Sequence, residues 1–208
     1  MCPSAAEPGD EQKMRFASVT GGCIAPLGMQ RNSKFPPSVD RRGPIVLVGM
    51  MGVGKSTIGR RLALRLGYDF VDSDEEIEQA ANMSVAEIFE QFGEPYFRDG
   101  ERRVIARLLD SERTVIATGG GAFCDDETRD LILQRATSIW LDAPIETLVE
   151  RVGRRNTRPL LKGRDPETVL RELMAKRGDD YAKALLRVPS DNGPHERTVG
   201  AILEALQL

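Results

Sequence analysis

One stretch of this chain has the residue types and spacing needed to hold a polyphosphate. Gly49-Met50-Met51-Gly52-Val53-Gly54-Lys55-Ser56 fits the pattern G-x-x-x-x-G-K-[ST]. Glycines at 49, 52 and 54 can take backbone angles closed to other residues. The N–H groups of Gly52, Val53, Gly54, Lys55, Ser56 and Thr57 can therefore turn inward around an anion. Lys55 is placed to reach the β- and γ-phosphates, and the Ser56 hydroxyl is a ligand of the kind Mg²⁺ takes. The loop implies a bound nucleoside triphosphate and leaves the second substrate unnamed.

Three further groups could do chemistry beside it. Asp72 and Asp74 stand two residues apart where a strand ends, on one side if that strand continues. Gly119, Gly120 and Gly121 follow another apolar run, and three glycines at a strand end read as a site. From 151 to 164 the chain carries Arg151, Arg154, Arg155, Arg158, Lys162 and Arg164 with no acidic residue, interrupted by Gly153, Pro159 and Gly163. Next to a phosphate loop, such a run reads as a cationic lid that closes on a polyanion.

The elements that must position these groups follow from periodicity. Ile45-Val46-Leu47-Val48 reads as a buried strand, and Thr57 to Leu66 puts Ile58, Leu62 and Leu66 on one helical face. Gly67 stops that helix and Tyr68 to Asp72 resumes as a strand, which makes a βαβ unit of a parallel sheet. Ser84 to Glu87 is a capping box opening a helix to Phe92, which Gly93 and Pro95 break before a second helix from Tyr96 to Leu109. Thr114 to Ala117 and Ser138 to Asp142 read as strands. Between them, Asp125 or Asp126 caps a helix through Gln134. A short helix begins at Pro144, Asp165 to Leu186 is mainly helical, Leu186 to Val188 is a last strand, and a final helix runs from Glu196 to Leu206. His195, the sole histidine, reads as a surface residue, and Cys124 as a packing residue.

Composition sets the outer bounds. A chain of 208 residues with 40% hydrophobic content supports one good core. Residues 1–43, rich in Pro, Gly and Ser, form an extension without hydrophobic period, leaving 44–208 as the domain. A net charge of -3 argues against general affinity for nucleic acid or membrane surfaces. Three cysteines without paired spacing, no membrane-spanning run and no secretory core point to a cytoplasmic protein.

The combination of Gly49 to Ser56, Asp72-Ser73-Asp74, Phe97-Arg98 with Glu101, Thr118 to Ala122 and Arg158-Pro159-Leu160-Leu161 resembles the shikimate kinases. These are small P-loop kinases of the nucleoside-monophosphate-kinase type, and the resemblance covers about residues 44 to 206. It implies an α/β domain with a five-stranded parallel sheet of order 2-3-1-4-5, flanked by helices and carrying a mobile lid. The implied reaction is ATP-dependent phosphorylation of the 3-hydroxyl of shikimate, on the route to aromatic amino acids. One Mg²⁺ per subunit accompanies ATP, and a monomer is expected, with no nucleic-acid or membrane partner.

Carried over by position, Asp74 resembles the carboxylate that holds the substrate hydroxyls. Arg98 and Arg177 resemble the arginines on the shikimate carboxylate, and Gly119, Gly120 and Gly121 the backbone that approaches the ring. Arg158 is similar to the lid arginine on the transferred phosphate, Arg151 to one near the adenine, and Asp72 to the aspartate that joins Ser56 in holding Mg²⁺. The adenine loop, Pro189 to Pro194, departs from the family pattern by a missing residue, so no single contact carries over there. Arg98 and Glu101 share a helical face, which lets Glu101 hold the guanidinium. The competing readings are a gluconate kinase on the same fold, a nucleotide-binding module without catalysis, and a GTPase. The acceptor residues argue against the first two, and the lack of an Asn-Lys-x-Asp segment against the third.

Overall fold

The four residues Ile45–Val48 are all buried, and this run forms the central strand, β1. The computed structural model describes residues 43–153 and 164–208. The extension expected over 1–43, but for its last residue, and most of the expected lid, Arg158 included, lie outside the described residues. β1 pairs in parallel with β3 (Thr114–Ala117) on one side and β4 (Thr137–Asp142) on the other. β2 (Asp69–Asp72) lies beyond β3, and β5 (Leu186–Pro189) beyond β4. The order β2-β3-β1-β4-β5 is the one that the resemblance implies. Strands β1 and β3 are buried along their whole length, as near-continuous apolar runs in a parallel sheet should be.

Helix α1 (Lys55–Leu66) returns the chain after β1, burying Ile58, Leu62 and Ala63. Gly67 ends it with φ 66°, a left-handed cap. Asp72 and Asp74 do not share one face of a continuing strand: β2 stops at Asp72 and helix α2 (Ser73–Ala81) begins. Asp72 caps that helix, its side chain accepting from the Asp74 amide at 3.1 Å. Asp74, Glu75 and Glu76 occupy the first turn, where carboxylates suit the helix dipole.

The capping box of Ser84 and Glu87 opens α3 (Val85–Leu108), which breaks at Gly93 with φ 79° and ψ 174°. Asp125 caps α4 (Asp126–Arg135), and α5 (Ile145–Gly153) follows β4. Helix α6 (Pro166–Tyr181) is shorter than the sequence suggested, stopping at Tyr181 before the turn into β5. The last helix, α7 (His195–Ala205), packs on α1. No helix among the described residues is long and apolar enough to cross a membrane.

Two glycines separate conformational cost from steric cost. A Cβ on Gly49, at φ 132°, would lie 2.5 Å from the Leu141 backbone oxygen, which cannot move without breaking the β4 ladder. A Cβ on Gly67 would meet nothing within 4 Å. Urea unfolding should show Gly67→Ala losing about 1 kcal/mol. Gly49→Ala should lose roughly 2–4 kcal/mol, strain and overpacking together.

Candidate active site

The phosphate loop sits between β1 and α1. Gly49, Gly52 and Gly54 all adopt positive φ, at 132°, 82° and 100°, as the pattern requires. Gly54 is also the N-cap of α1 and offers no side-chain acceptor, so the first amides of the helix are left open to an anion. Lys55 Nζ donates to the Gly49 carbonyl at 2.7 Å and the Met50 carbonyl at 3.0 Å, folded against its own loop. Ser56 Oγ donates to Asp72 Oδ2 at 2.6 Å. Two oxygens of the kind Mg²⁺ prefers thus meet at the mouth of the loop. No group of three or more His, Cys, Asp or Glu among the described residues is set to hold a metal. A divalent ion here would depend on phosphate oxygens and water for its other positions.

A cavity of about 690 Å³ joins this loop to the end of β3. Gly52, Gly54, Lys55, Ser56, Thr57 and Arg151 line its donor half, and Asp72 and Asp74 lie between the halves. Arg98, Glu101, Arg177 and Gly119 to Gly121 line the acceptor half. Of the described candidates only Val53 does not line it. Its side chain is buried beneath the loop, and its carbonyl accepts from Arg151 at 3.0 Å and from Ser190 at 3.1 Å.

The acceptor half is built on close backbone approach. Gly119 donates to Ser73 Oγ at 3.3 Å, which fastens the glycine run to the start of α2. A Cβ on Gly119 would fall 2.7 Å from Asp74 Oδ1 and 2.9 Å from Glu101 Oε1. One on Gly121 would collide with the Arg98 guanidinium. Arg98 Nη1 donates to Glu101 Oε2 at 2.5 Å, and Nη2 donates to Glu94 Oε1 at 3.2 Å. The i,i+3 pairing read from sequence is therefore made, with Glu101 only 1% exposed. Arg177 Nη1 donates to the Gly120 carbonyl at 3.2 Å.

Asp74 Oδ1 and Glu101 Oε1 are buried without a hydrogen-bond partner among the described residues. Both lie close against Gly119, within 3 Å of where a Cβ on it would stand, and buried oxygens left so are costly. Burial raises the Asp74 pKa, Asp72 raises it further, and Lys55 pulls it back. Burial pushes Glu101 up to about 7 against the pull of Arg98. Burial opposes the Arg98 charge too, but Glu101 and Glu94 outweigh it and its pKa rises.

His195, read as a surface residue, is half-buried and lines the nucleotide end with Asn192 and Gly193. Burial, Arg61 and Arg151 lower its pKa. The apolar wall of Val85 and Phe89 was not singled out from sequence either. Arg151 also donates to the Asp191 carbonyl, which joins α5 to the loop after β5.

Residues 51–207 match the family model described as shikimate kinase. A shikimate kinase of Novosphingobium aromaticivorans is 54% identical over 177 residues, 81% of this chain and 92% of that protein. One of Caulobacter vibrioides is 56% identical over 167 residues, 80% of this chain and 84% of its own length. The chain belongs to the shikimate kinase family. A solved shikimate kinase from Acinetobacter baumannii, in complex with shikimate, is 37% identical with a TM-score of 0.76, covering 80% of this chain and 93% of that one. A gluconokinase from Sinorhizobium meliloti is also similar, at 21% identity and a TM-score of 0.56, over 80% of this chain and 92% of its own. That second likeness is one of fold.

Glu101 makes stability depend on pH in a direction set by its buried carboxyl. Its pKa is raised on folding from 4.5 to about 7, so the folded state holds the proton longer and stability falls as pH rises through that window. Unfolding free energies taken below and above the window should differ less in Glu101→Gln than in the parent, by roughly 1–3 kcal/mol. The readout is the pH slope, because loss of the Arg98 partner changes absolute stability as well.

Proposed function

We propose that this chain transfers the γ-phosphoryl group of ATP to the 3-hydroxyl of shikimate, giving shikimate 3-phosphate and ADP. The observation that carries the reading is the single cavity that joins the phosphate loop to Asp74, Arg98, Arg177 and the glycine run. An anionic, hydroxyl-bearing ligand fits that set. Its carboxylate would be gripped by Arg98 and Arg177, whose guanidinium forks donate paired hydrogen bonds. Its hydroxyls would reach Asp74.

Phosphoryl transfer proceeds through a loose transition state, so the acceptor hydroxyl needs alignment more than early deprotonation. Asp74 therefore orients the hydroxyl first and takes its proton late. The raised pKa makes that carboxylate a better acceptor than an exposed aspartate. Lys55 swings from the loop carbonyls to the β- and γ-oxygens, and Arg158 neutralises charge on the moving group. Ser56 and Asp72 would hold Mg²⁺, which when bound would offset the charge of the phosphates. Arg151, with Asn192, Gly193 and His195, borders the place for the nucleotide base.

Coupled ADP release with ATP, Mg²⁺ and either shikimate or gluconate tests the substrate. Turnover should depend on shikimate, and a protein that responds to gluconate alone contradicts the reading. Arg158→Ala should lower kcat by ~10³ with little effect on folding. A variant that keeps near-full kcat removes Arg158 from the transition state.

A further inference from the structure

Tyr181 ends α6 four residues after Arg177, on the same helical face. It is 0% exposed, and its hydroxyl donates to the Gly120 carbonyl, the same oxygen that receives Arg177. The ring also reaches the donor side. Its hydroxyl oxygen lies 3.9 Å from the Met50 sulfur, and its centroid is 6.1 Å from that of Trp140. Trp140 in turn underlies Gly49, where a Cβ would come within 3.2 Å of the indole Cδ1. Burial pushes the Tyr181 phenol far above its ordinary pKa, so the hydroxyl remains a donor.

A trans peptide points its carbonyl and the next N–H in opposite directions. With the Gly120 oxygen held toward α6, the Gly121 N–H is turned away from α6. Gly121 lines the cavity, and its amide has no protein acceptor among the described residues. We propose that Tyr181 is a positioning residue for the acceptor substrate. By holding the Gly120 carbonyl it aims the Gly121 N–H into the acceptor half, where it donates to an oxygen of shikimate. Arg177 contributes to the same anchor but has a second duty on the substrate carboxylate. Tyr181 does not line the cavity, so its part in the site is the anchor, which it ties to Met50 in the phosphate loop. This inference rests on the assignment of shikimate to the acceptor half.

Tyr181→Phe keeps the ring and removes the donor, while Arg177 keeps the Gly120 carbonyl partnered. One neutral hydrogen bond corresponds to about a fivefold to tenfold rise in KM for shikimate, with KM for ATP within about twofold of the parent. In the substrate-free protein, the Gly120 carbonyl-carbon resonance should move upfield as one of its two hydrogen bonds is lost. A fall in kcat or melting temperature with both KM values unchanged would make Tyr181 a packing residue and overturn the proposal. So would an unmoved Gly120 resonance. If the parent protein shows no shikimate-dependent ADP release, the functional reading fails. The resonance alone then decides the anchor, and its constancy overturns it.

Discussion

The site depends on one carbonyl oxygen. Leu47, near the end of β1, accepts from both the backbone N–H of Thr118 at 3.2 Å and its hydroxyl at 3.1 Å. This pair of hydrogen bonds extends the parallel β1–β3 register, Leu47 opposite Ala117, one residue past the strand. Because the two strands run parallel, both open at the same end, and the segments leaving them must share the same space. The phosphate loop leaves β1 and the glycine run leaves β3. A Cβ on Gly120 would sit 3.7 Å from the Met51 amide nitrogen and 3.9 Å from the Gly49 carbonyl. Donor and acceptor halves therefore meet through backbone, in ordinary van der Waals contact at Gly120.

Placing buried charge there has a cost that the fold meets locally. Glu101 is almost fully buried, and a carboxylate so placed is unfavourable unless paired. Arg98 supplies the pairing, and in doing so is held against Gly121. Asp74 Oδ1 and Glu101 Oε1 have no partner among the described residues. The many exposed pairs on the helices, such as Arg60 with Glu75, contribute little by comparison.

Much of this was legible in the sequence where the chemistry is local. The phosphate loop depends on glycines at fixed offsets, a capping position and an adjoining helix, all of which are short-range. The Ser84–Glu87 box and the break at Gly93 were readable for the same reason. The helix that starts after Asp72 was missed, because two aspartates two apart also suit a continuing strand and the cap is made by the Asp72 side chain. Arg177 emerged only through the family resemblance, because nothing near it in sequence reports that α6 lies over Gly120. His195, Ser190 and Tyr181 lacked any local sign. Each acts through a partner more than 30 residues away or through burial, and single-sequence periodicity carries neither.

In the proposed reaction one cavity brings a γ-phosphate and a shikimate hydroxyl into line, with Asp74 on that hydroxyl. A crystal structure with shikimate and a non-hydrolysable ATP analogue tests this directly. The 3-hydroxyl oxygen should lie about 3–3.5 Å from the γ-phosphorus, in line with its leaving oxygen. That hydroxyl should be within hydrogen-bond reach of Asp74, and the carboxylate between Arg98 and Arg177. A shikimate bound with its carboxylate toward the phosphate loop, or with Asp74 left unpartnered, would contradict it.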